Sequence, residues 1–419
     1  MIITNCSLKH KNEKYDIIIN GETIEDIVAS DKSHMYYDNE VIDAQGNLVI
    51  PPFVEPHIHL DATLTAGQPS YNLSGTLFEG INVWSEYKKN VPYNVQTIKK
   101  NAKDAIKMML RYGVQIIRTH VDITDPQLTG LKALIELKKE ISDWCELQIV
   151  AFPQDGIYSF PNGEKLLEQS LNLGADAVGA IPHYEFCSEY GAKSIHKIME
   201  LAQKYDKLVD VHCDEIDDGA SRFLEILAAE AYERGIGEKV SASHTVAMHS
   251  YNNAYCSKLF KILKLSKINF ICCPIANTHL QGRADYYPKR RGVTRVKELL
   301  EEGINVAFGQ DSIFDPWYPL GNGNIMRVVD FGIHVTHMTG YNDIANCLDL
   351  ITDNGAKALH VKDHYGIEVG KQANLLIMDG ANDYDILRFQ KPVLYSIRKG
   401  KILAKNQPEI CRLYIDERG

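Results

Sequence analysis

Two histidines separated by one residue, His57 and His59, end the apolar run that starts at Pro51. Because successive side chains of a β-strand point to opposite faces of the sheet, this spacing puts both imidazoles on one face. Two imidazoles on one face can bind a single metal ion and leave coordination positions for other ligands and for a water molecule. The pair therefore indicates a metal site if the rest of the chain supplies further ligands.

Short apolar segments that lead to polar residues recur along the chain. Together with the segment that ends at His57 there are eight, and their polar residues are His57, His120 with Asp122, Gln154, His183, His212 with Glu215, His244, Cys273 with Asn277, and Asp311. Segments of helical period separate most of them, as in 165–173, 192–205, 220–234 and 294–302. Strands that alternate with helices at intervals of roughly 30 residues predict an α/β fold, the (β/α)₈ or TIM barrel, with its chemistry at the carboxyl ends of the strands.

Some of the polar residues at these strand ends can together form a ligand set for one metal ion. His57, His59, His212 and Asp311 would surround one ion with three nitrogens and one oxygen, a set that suits Zn²⁺ or Fe²⁺. A water molecule in the remaining position would have its pKa lowered to about 7. The sequence therefore predicts one divalent metal ion that activates water for hydrolysis.

Other strand-end residues have the chemistry to assist. Glu215 follows His212 by three residues, so it can reach the activated water as a general base and later act as a general acid. His244 can orient the attacking oxygen or stabilise a tetrahedral intermediate. Gln154 offers both a donor and an acceptor, which suits an amide or amidine edge. For His120, Asp122 and His183, a role beside the site and a purely structural role stay equally open.

The two ends of the chain predict a second, smaller unit. Residues 1–50 and 366–419 are rich in short β-like stretches and turns, whereas residues 51–365 carry the alternating pattern. A length of 419 residues also exceeds that of a minimal barrel. We therefore expect a catalytic barrel over 51–365 and a small flanking β-sandwich built from both ends.

The composition of the chain argues against nucleic acid and membrane as partners. A net charge of −10 argues against nucleic acid, because there is no basic excess to neutralise phosphate. No apolar stretch is long enough to span a membrane, and the first residues lack the features of a signal peptide. The nine cysteines include no Cys-x-x-Cys pair, which fits a reducing cytoplasm. The expected partner is a small-molecule substrate.

Several segments resemble one known family over nearly the whole chain. The matching segments are 51–61 (PPFVEPHIHLD), 150–154 (VAFPQ), 211–218 (VHCDEIDD), 242–245 (ASHT), 279–283 (HLQGR) and 314–321 (FDPWYPLG). They resemble the amidohydrolase superfamily, and within it the bacterial cytosine deaminases, among which 5-methylcytosine deaminases and creatinine deaminases are close relatives. The resemblance implies hydrolytic deamination of a cyclic amidine, most simply cytosine or a 5-substituted cytosine, to the carbonyl product and ammonia.

The resemblance also assigns roles to individual residues. It implies a mononuclear metal held by His57, His59, His212 and Asp311. It implies Glu215 as proton shuttle and His244 as the residue that acts on the attacking oxygen. In the mechanism that we expect, Asp311 or Glu215 then protonates the departing nitrogen. Gln154 would read the pyrimidine edge, and Phe152 and Trp317 would line the pocket. Members of the family are typically homo-oligomers, so the same is expected here.

The end of the fourth predicted strand favours the mononuclear subtype. The run ends in Ile181, Pro182, His183 and Tyr184, without the lysine or glutamate that bridges two ions in binuclear members such as dihydropyrimidinases and dihydroorotases. The unrelated zinc deaminase pattern, His-x-Glu with Pro-Cys-x-x-Cys, is absent from the sequence.

One departure from the family pattern concerns substrate choice. Where cytosine deaminases have a second aspartate after the metal aspartate, this chain has Asp311 followed by Ser312, with Gln310 before them. A smaller, uncharged side chain would enlarge the pocket and remove a carboxylate beside the base. Cytosine, 5-methylcytosine and creatinine therefore stay open as substrates. An amide-bond hydrolase and a non-catalytic scaffold are the alternatives of other classes, and the intact ligand set argues against the scaffold.

Overall fold

The computed structural model describes residues 1–31, 40–91, 93–408 and 410–414. The chain divides into two compact units, one of Met1–Pro51 with Gly366–Gly419 and one of Pro52–Tyr365. The two ends of the chain therefore form one unit, and the central segment forms the other.

The regular elements alternate through the central unit and cluster as strands at the two ends. The strands in chain order are β1 Ile2–Leu8, β2 Lys14–Asn20, β3 Thr23–Ala29, β4 Val41–Asp43, β5 Leu48–Ile50, β6 Phe53–Ile58, β7 Val114–Asp122, β8 Glu146–Phe152, β9 Ala177–Ala180, β10 Leu208–Cys213, β11 Val240–His244, β12 Asn269–Cys272, β13 Val306–Phe308, β14 Leu375–Met378, β15 Val393–Arg398 and β16 Lys401–Lys405. The α-helices are α1 Leu77–Asn90, α2 Val95–Arg111, α3 Thr129–Glu140, α4 Gly163–Leu173, α5 Ser188–Tyr205, α6 Phe223–Arg234, α7 Asn253–Ser266, α8 Pro274–Leu280, α9 Val296–Glu301, α10 Ile325–Val335, α11 Tyr341–Ile344, α12 Asp353–Ala358 and α13 Asp383–Arg388.

The larger unit is a (β/α)₈ barrel, as the sequence predicts. Within the described residues its eight strands pair in sequence order from β6 to β13, and every neighbouring pair is parallel. A parallel bridge between Ile58 and Asp311 joins the last strand region to the first. Strands β6 and β7 are buried along their whole length, because helices cover the outside of the barrel and side chains fill its interior.

The covering helices follow from their apolar spacing. In α2, the buried residues Ile98, Ala102, Ala105 and Met109 recur at three- and four-residue steps, so they form one face. The side chain of Asn94 accepts a hydrogen bond from the backbone N–H of Thr97 and so caps the start of the helix. These helices hold the strand ends, and hence the site residues, in fixed positions.

The smaller unit is a mixed β-sheet assembled from both ends of the chain. Its strands pair in the order β16-β15-β14-β5-β1-β2-β3, and β4 also pairs with β1. The separate β-unit that the sequence predicts is confirmed. Its described strands form one connected sheet, since β5 pairs with both β1 and β14, and residues from both chain ends share one apolar cluster.

Among the described residues, no helix has both the length and the apolar character that crossing a bilayer requires.

Candidate active site

Three imidazoles and one carboxylate converge where the barrel closes. The Nε2 atoms of His59 and His212 are 3.1 Å apart, and Oδ1 of Asp311 lies 3.5 Å from Nε2 of both His57 and His59. The closing backbone bonds fix this arrangement, because His59 N–H donates to the carbonyl of Asp311 and Asp311 N–H donates to that of His57. His212 enters from β10 on the other side of the barrel.

This donor set fits a single divalent ion. Ligand atoms that bind one zinc ion at 2.0–2.2 Å in tetrahedral geometry lie roughly 3.3 Å from one another. The His59–His212, His57–Asp311 and His59–Asp311 separations are 3.1–3.5 Å. Nε2 of His57 is buried and has no hydrogen-bond partner among the described residues. Burial, followed by the neighbouring imidazoles, lowers the pKa of His57, His59 and His212 well below the ordinary value, so their lone pairs are available to a metal.

Two site residues have a left-handed backbone. The φ angles of His244 and Asp311 are 67° and 70°, a region that residues with a β-carbon seldom adopt. Such strain persists only where the surroundings enforce it, and it is frequent at functional sites. Both residues lie where a barrel strand gives way to its loop.

Glu215 and His244 share one polar contact. Oε1 of Glu215 lies 3.5 Å from Nδ1 of His244, and the amide nitrogen of Asn277 lies 3.0 Å from the same Nδ1 and 3.4 Å from Oε1. Since the Asn277 amide donates, Nδ1 of His244 accepts and the proton is on Nε2, a buried atom without a described partner. Burial lowers the pKa of His244 to about 3, so it is a neutral donor aimed into the site.

The carboxyl groups of the site share an unfavourable environment. Burial and the charge of Asp311 raise the pKa of Glu215 well above its ordinary value, and burial with the charges of Asp315 and Glu55 raises that of Asp311. A divalent cation would offset these charges. The cluster of buried carboxyls beside neutral imidazoles is therefore a second feature that fits a bound metal.

A cavity lies against the ligand residues at the carboxyl ends of the strands. Its wall includes Glu215, His244 and three of the four predicted substrate contacts, Gln154, Ser312 and Trp317. Much of the remaining wall is apolar, from Leu77, Phe78, Ile81, Ile181, Ile216 and Leu280. A small apolar cavity with a few convergent polar groups suits a planar heterocycle.

Glu185 fixes the loop that carries Gln154 through hydrogen bonds. The carboxylate of Glu185 accepts hydrogen bonds from the backbone N–H groups of Ile157 and Ser159, at 2.7 and 2.9 Å, and from the Ser159 hydroxyl at 2.6 Å. These bonds fix the segment that follows β8, so the position of Gln154 is determined by a residue that follows β9.

Trp317 is positioned by a turn and by a glycine. The carboxylate of Asp315 accepts the backbone N–H groups of Trp317 and Tyr318, at 3.0 and 2.9 Å. The indole lies against α1 at Gly80, where an added β-carbon would be 2.6 Å from Cδ1 of Trp317. Only glycine leaves room for the indole here, so α1 determines one wall of the cavity.

Phe152 differs from its predicted position. Its ring stacks on that of His212, with centroids 3.9 Å apart, and it is not among the residues of the cavity wall. Phe152 ends strand β8, and its stacking supports the imidazole of His212.

The structure separates the three residues whose roles the sequence leaves open. His120 lies inside β7 with its ring centroid 3.9 Å from that of His57, within the imidazole cluster. His183 lies in the turn after β9 and lines the cavity. Asp122 accepts hydrogen bonds from the indole of Trp84 and the ammonium of Lys88, so its role is structural.

Of the residues that contact the predicted site residues, the sequence points to Asn277 only as a strand-end polar residue without a role, and it does not point to Glu55 or Ser243. Asn277 contacts His244, Glu55 accepts the backbone N–H groups of His57 and Gln310, and Ser243 contacts Nδ1 of His57. Polar residues at alternate positions of otherwise apolar strands were the available signal, as with Asp210, two residues before His212.

Comparison with known proteins identifies related families. The sequence profile of the Amidohydrolase family matches residues 40–91 and 71–404. The N-isopropylammelide isopropyl amidohydrolase of Pseudomonas sp. (strain ADP) is 28% identical over 97% of this chain and 98% of its own length.

Solved structures include a nearer relative. The 5-methylcytosine deaminase from Klebsiella pneumoniae, liganded with 5-fluorocytosine, is 55% identical with a TM-score of 0.96, over 99% of each chain. The same enzyme liganded with phosphonocytosine is 54% identical with a TM-score of 0.96, over 99% of this chain and 100% of that chain.

Proposed function

Because the chain belongs to the amidohydrolase family and is a hydrolase acting on C–N bonds, we propose that it is a metal-dependent deaminase of cytosine-type bases that accepts 5-methylcytosine. The observation that carries the proposal is the cavity wall, where Gln154, Glu215 and Ser312 meet beside the ligand cluster. We assign the activity to the barrel, residues 51–365. The reaction converts the amidine carbon to a carbonyl and releases ammonia.

The likeness to 5-methylcytosine deaminase supports the substrate class. That enzyme shares 55% of its residues with this chain over 99% of both. Ser312 supports the 5-substituent, because a serine beside the metal aspartate is smaller than an aspartate and carries no charge. With an aspartate at this position, a methyl group at ring position 5 would lie against a carboxylate. That contact is unfavourable, because the apolar methyl group would displace water from the charge.

His57, His59, His212 and Asp311 are the residues that would hold the metal. When bound, a divalent cation would activate a water molecule and stabilise the charge that develops on the attacking oxygen. We propose Zn²⁺ or Fe²⁺, since both suit three imidazoles and one carboxylate.

The chain's own residues then move the protons. Glu215 takes one proton from the attacking water and delivers it to the ring nitrogen next to the amidine carbon. The Nε2–H of His244 donates a hydrogen bond to the attacking oxygen. Asp311 or Glu215 transfers the second proton to the exocyclic nitrogen, the carbon–nitrogen bond breaks, and ammonia leaves. Gln154 holds the opposite edge of the ring through its donor and acceptor.

A comparison of substrates tests the proposal. Purified protein is assayed with 5-methylcytosine, cytosine, creatinine and a dihydropyrimidine, and both ammonia and the organic product are measured. We expect thymine and ammonia in equal amounts from 5-methylcytosine, with His212→Ala as the inactive control.

Other outcomes point to the alternatives. N-methylhydantoin from creatinine, with neither pyrimidine converted, would identify a creatinine deaminase. Ring opening of the dihydropyrimidine without ammonia release would identify an amide-bond hydrolase. Either result would overturn the proposal.

A further inference from the structure

A row of fully buried polar side chains crosses the barrel beneath the ligand cluster. Arg118 of β7 donates from Nη1 to Oδ2 of Asp210 on β10 at 2.9 Å. Oδ1 of Asp210 accepts the hydroxyl of Ser243 on β11 at 2.6 Å, and Oγ of Ser243 lies 2.9 Å from Nδ1 of His57. Arg118, Asp210, Ser243 and His57 are each 0% exposed.

The arginine at the start of this row is itself firmly held. Its Nε and Nη2 donate to Oε1 of Gln148, Nη2 also donates to the carbonyl of Ala358, and Nη1 also donates to the hydroxyl of Ser241. The fully buried guanidinium of Arg118 forms an ion pair with Asp210 at 2.9 Å. In this pair Asp210 is the carboxylate anion, which can only accept hydrogen bonds.

Counting donors along the row determines the protonation of His57. Ser243 has one hydroxyl proton, and it is used in the hydrogen bond that Ser243 donates to the Asp210 carboxylate. Ser243 can then only accept from Nδ1 of His57, so that nitrogen carries the ring proton. Nε2 keeps its lone pair and lies 3.5 Å from Asp311 within the ligand cluster.

We infer that Asp210, acting through Ser243, is a positioning residue that fixes the tautomer and orientation of the His57 imidazole for metal binding. The inference rests on the proposed function, because it takes His57 as a ligand. Part of the metal affinity would then depend on Asp210 and Ser243, which do not touch the metal. Hydrogen-bond partners of ligating histidines commonly have this effect.

The hydrogen bonds of this row predict that Asp210→Asn changes the tautomer of His57. A carboxamide has one acceptor oxygen, and Arg118, which can only donate, requires it. The amide N–H₂ then faces Ser243, whose hydroxyl must donate to Nδ1 of His57, and the ring proton moves to Nε2. This variant should present the wrong tautomer, whereas Ser243→Ala only removes the partner of Nδ1.

The test measures zinc affinity and tautomer separately. Metal is removed from each protein by a chelator, the fold is checked by circular dichroism, and Zn²⁺ is titrated against a competing chromophoric chelator. Ser243→Ala should bind Zn²⁺ about 10–100-fold more weakly than wild type, and Asp210→Asn at least as weakly. Ser241→Ala is the matched control, because Ser241 is an equally buried serine on the same strand that contacts Arg118 and not His57.

Nitrogen NMR of the metal-free protein, labelled at histidine, reads the tautomer directly. The wild-type spectrum should show the proton of His57 on Nδ1, and the Asp210→Asn spectrum should show it on Nε2. A wild-type proton on Nε2, or Ser243→Ala affinity equal to that of Ser241→Ala, would overturn the inference. If Asp210→Asn does not fold, the zinc affinity of Ser243→Ala and the wild-type spectrum still test the inference. A wild-type protein that binds no metal would refute the proposed function, while the spectrum would still test the row.

Discussion

Glu215 is the residue for which activity and metal binding should separate. It lies beside His244 and Asn277 on the cavity wall and is not one of the four ligands that we propose. Glu215→Gln should therefore retain the metal and the fold, and lose about 10²–10⁴-fold in kcat, the usual contribution of a general acid–base group. Metal content and kcat are measured on the same preparations.

The control for this prediction is a ligand residue. His212→Ala should lose both metal and turnover, because it removes one of three imidazoles. If Glu215→Gln lost its metal as His212→Ala does, Glu215 would be a ligand and its role as proton shuttle would be wrong.

Ser312 should control the response to a 5-substituent. A misfit of one methylene is worth about 1–3 kcal/mol in a packed pocket, or roughly ten- to two-hundred-fold in kcat/KM. Ser312→Asp should shift preference from 5-methylcytosine toward cytosine by that factor, since it adds both volume and charge beside the ring. The values of kcat/KM for cytosine, 5-methylcytosine and creatinine are compared for both proteins.

Ser312→Ala serves as the matched variant here. It removes the hydroxyl yet keeps the space, so it should retain the wild-type preference. Unchanged ratios in Ser312→Asp would mean that Ser312 does not face the substrate, and the specificity argument would fail while the metal argument stands.

The sequence predicts the four proposed ligand residues more readily than the residues that support them. His57, His59, His212 and Asp311 stand at strand ends, where chain position alone predicts convergence. The contacts of Asn277 and Ser243 depend on which way neighbouring strands and helices face one another, which local spacing does not encode. The stacking of Phe152 on His212 likewise depends on how neighbouring strands pack.

At the scale of elements, α1 should act on substrate binding through its packing against Trp317. Gly80→Ala would favour the helix by about 0.5–1 kcal/mol, but its methyl group would collide with the indole. We expect a higher KM for 5-methylcytosine with a smaller change in kcat. Asn82→Ala, at an exposed position of the same helix, should leave both constants unchanged. Equal KM values in the two variants would contradict this role of α1.

The same helix is tied to β7 by a buried ion pair. Lys88 of α1 contacts Asp122, which is 2% exposed and also accepts the indole N–H of Trp84. Removal of one partner of such a pair costs roughly 3–5 kcal/mol. Lys88→Met should therefore lower the thermal unfolding midpoint at neutral pH, whereas Lys89→Met, at the exposed neighbour, should not.

The pH dependence of this difference follows from Asp122. Burial would raise its pKa, but Lys88 lowers it below the ordinary value of 3.8, so the pair stabilises the fold above that value. The stabilisation is lost as pH falls through the lowered pKa. The gap between wild type and Lys88→Met should accordingly shrink on acidification. A gap that stays constant with pH would contradict the assignment.

The barrel strands were predictable because their buried apolar runs are separated by segments of helical period. Their limits were not, since pairing with a neighbour decides where a strand ends. Strand β7 continues through His120 to Asp122 because β8 pairs with it as far as Phe152. His120 therefore lies within the barrel and not in the loop that follows.

For the molecule as a whole, family membership and the barrel confirm what the sequence predicts. Homo-oligomeric assembly and a cytoplasmic location stay predictions. The central claim is that one ion, held by four residues of the barrel, is required for deamination of a cytosine-type base.

Metal reconstitution measured by product formation tests that claim most directly. Protein freed of metal by a chelator is titrated with Zn²⁺ or Fe²⁺, and thymine and ammonia formed from 5-methylcytosine are measured at each addition. We predict no turnover without metal, a linear rise in rate to one equivalent per subunit, and equal amounts of the two products. Turnover in the metal-free protein, or a rise that continues to two equivalents, would contradict the account.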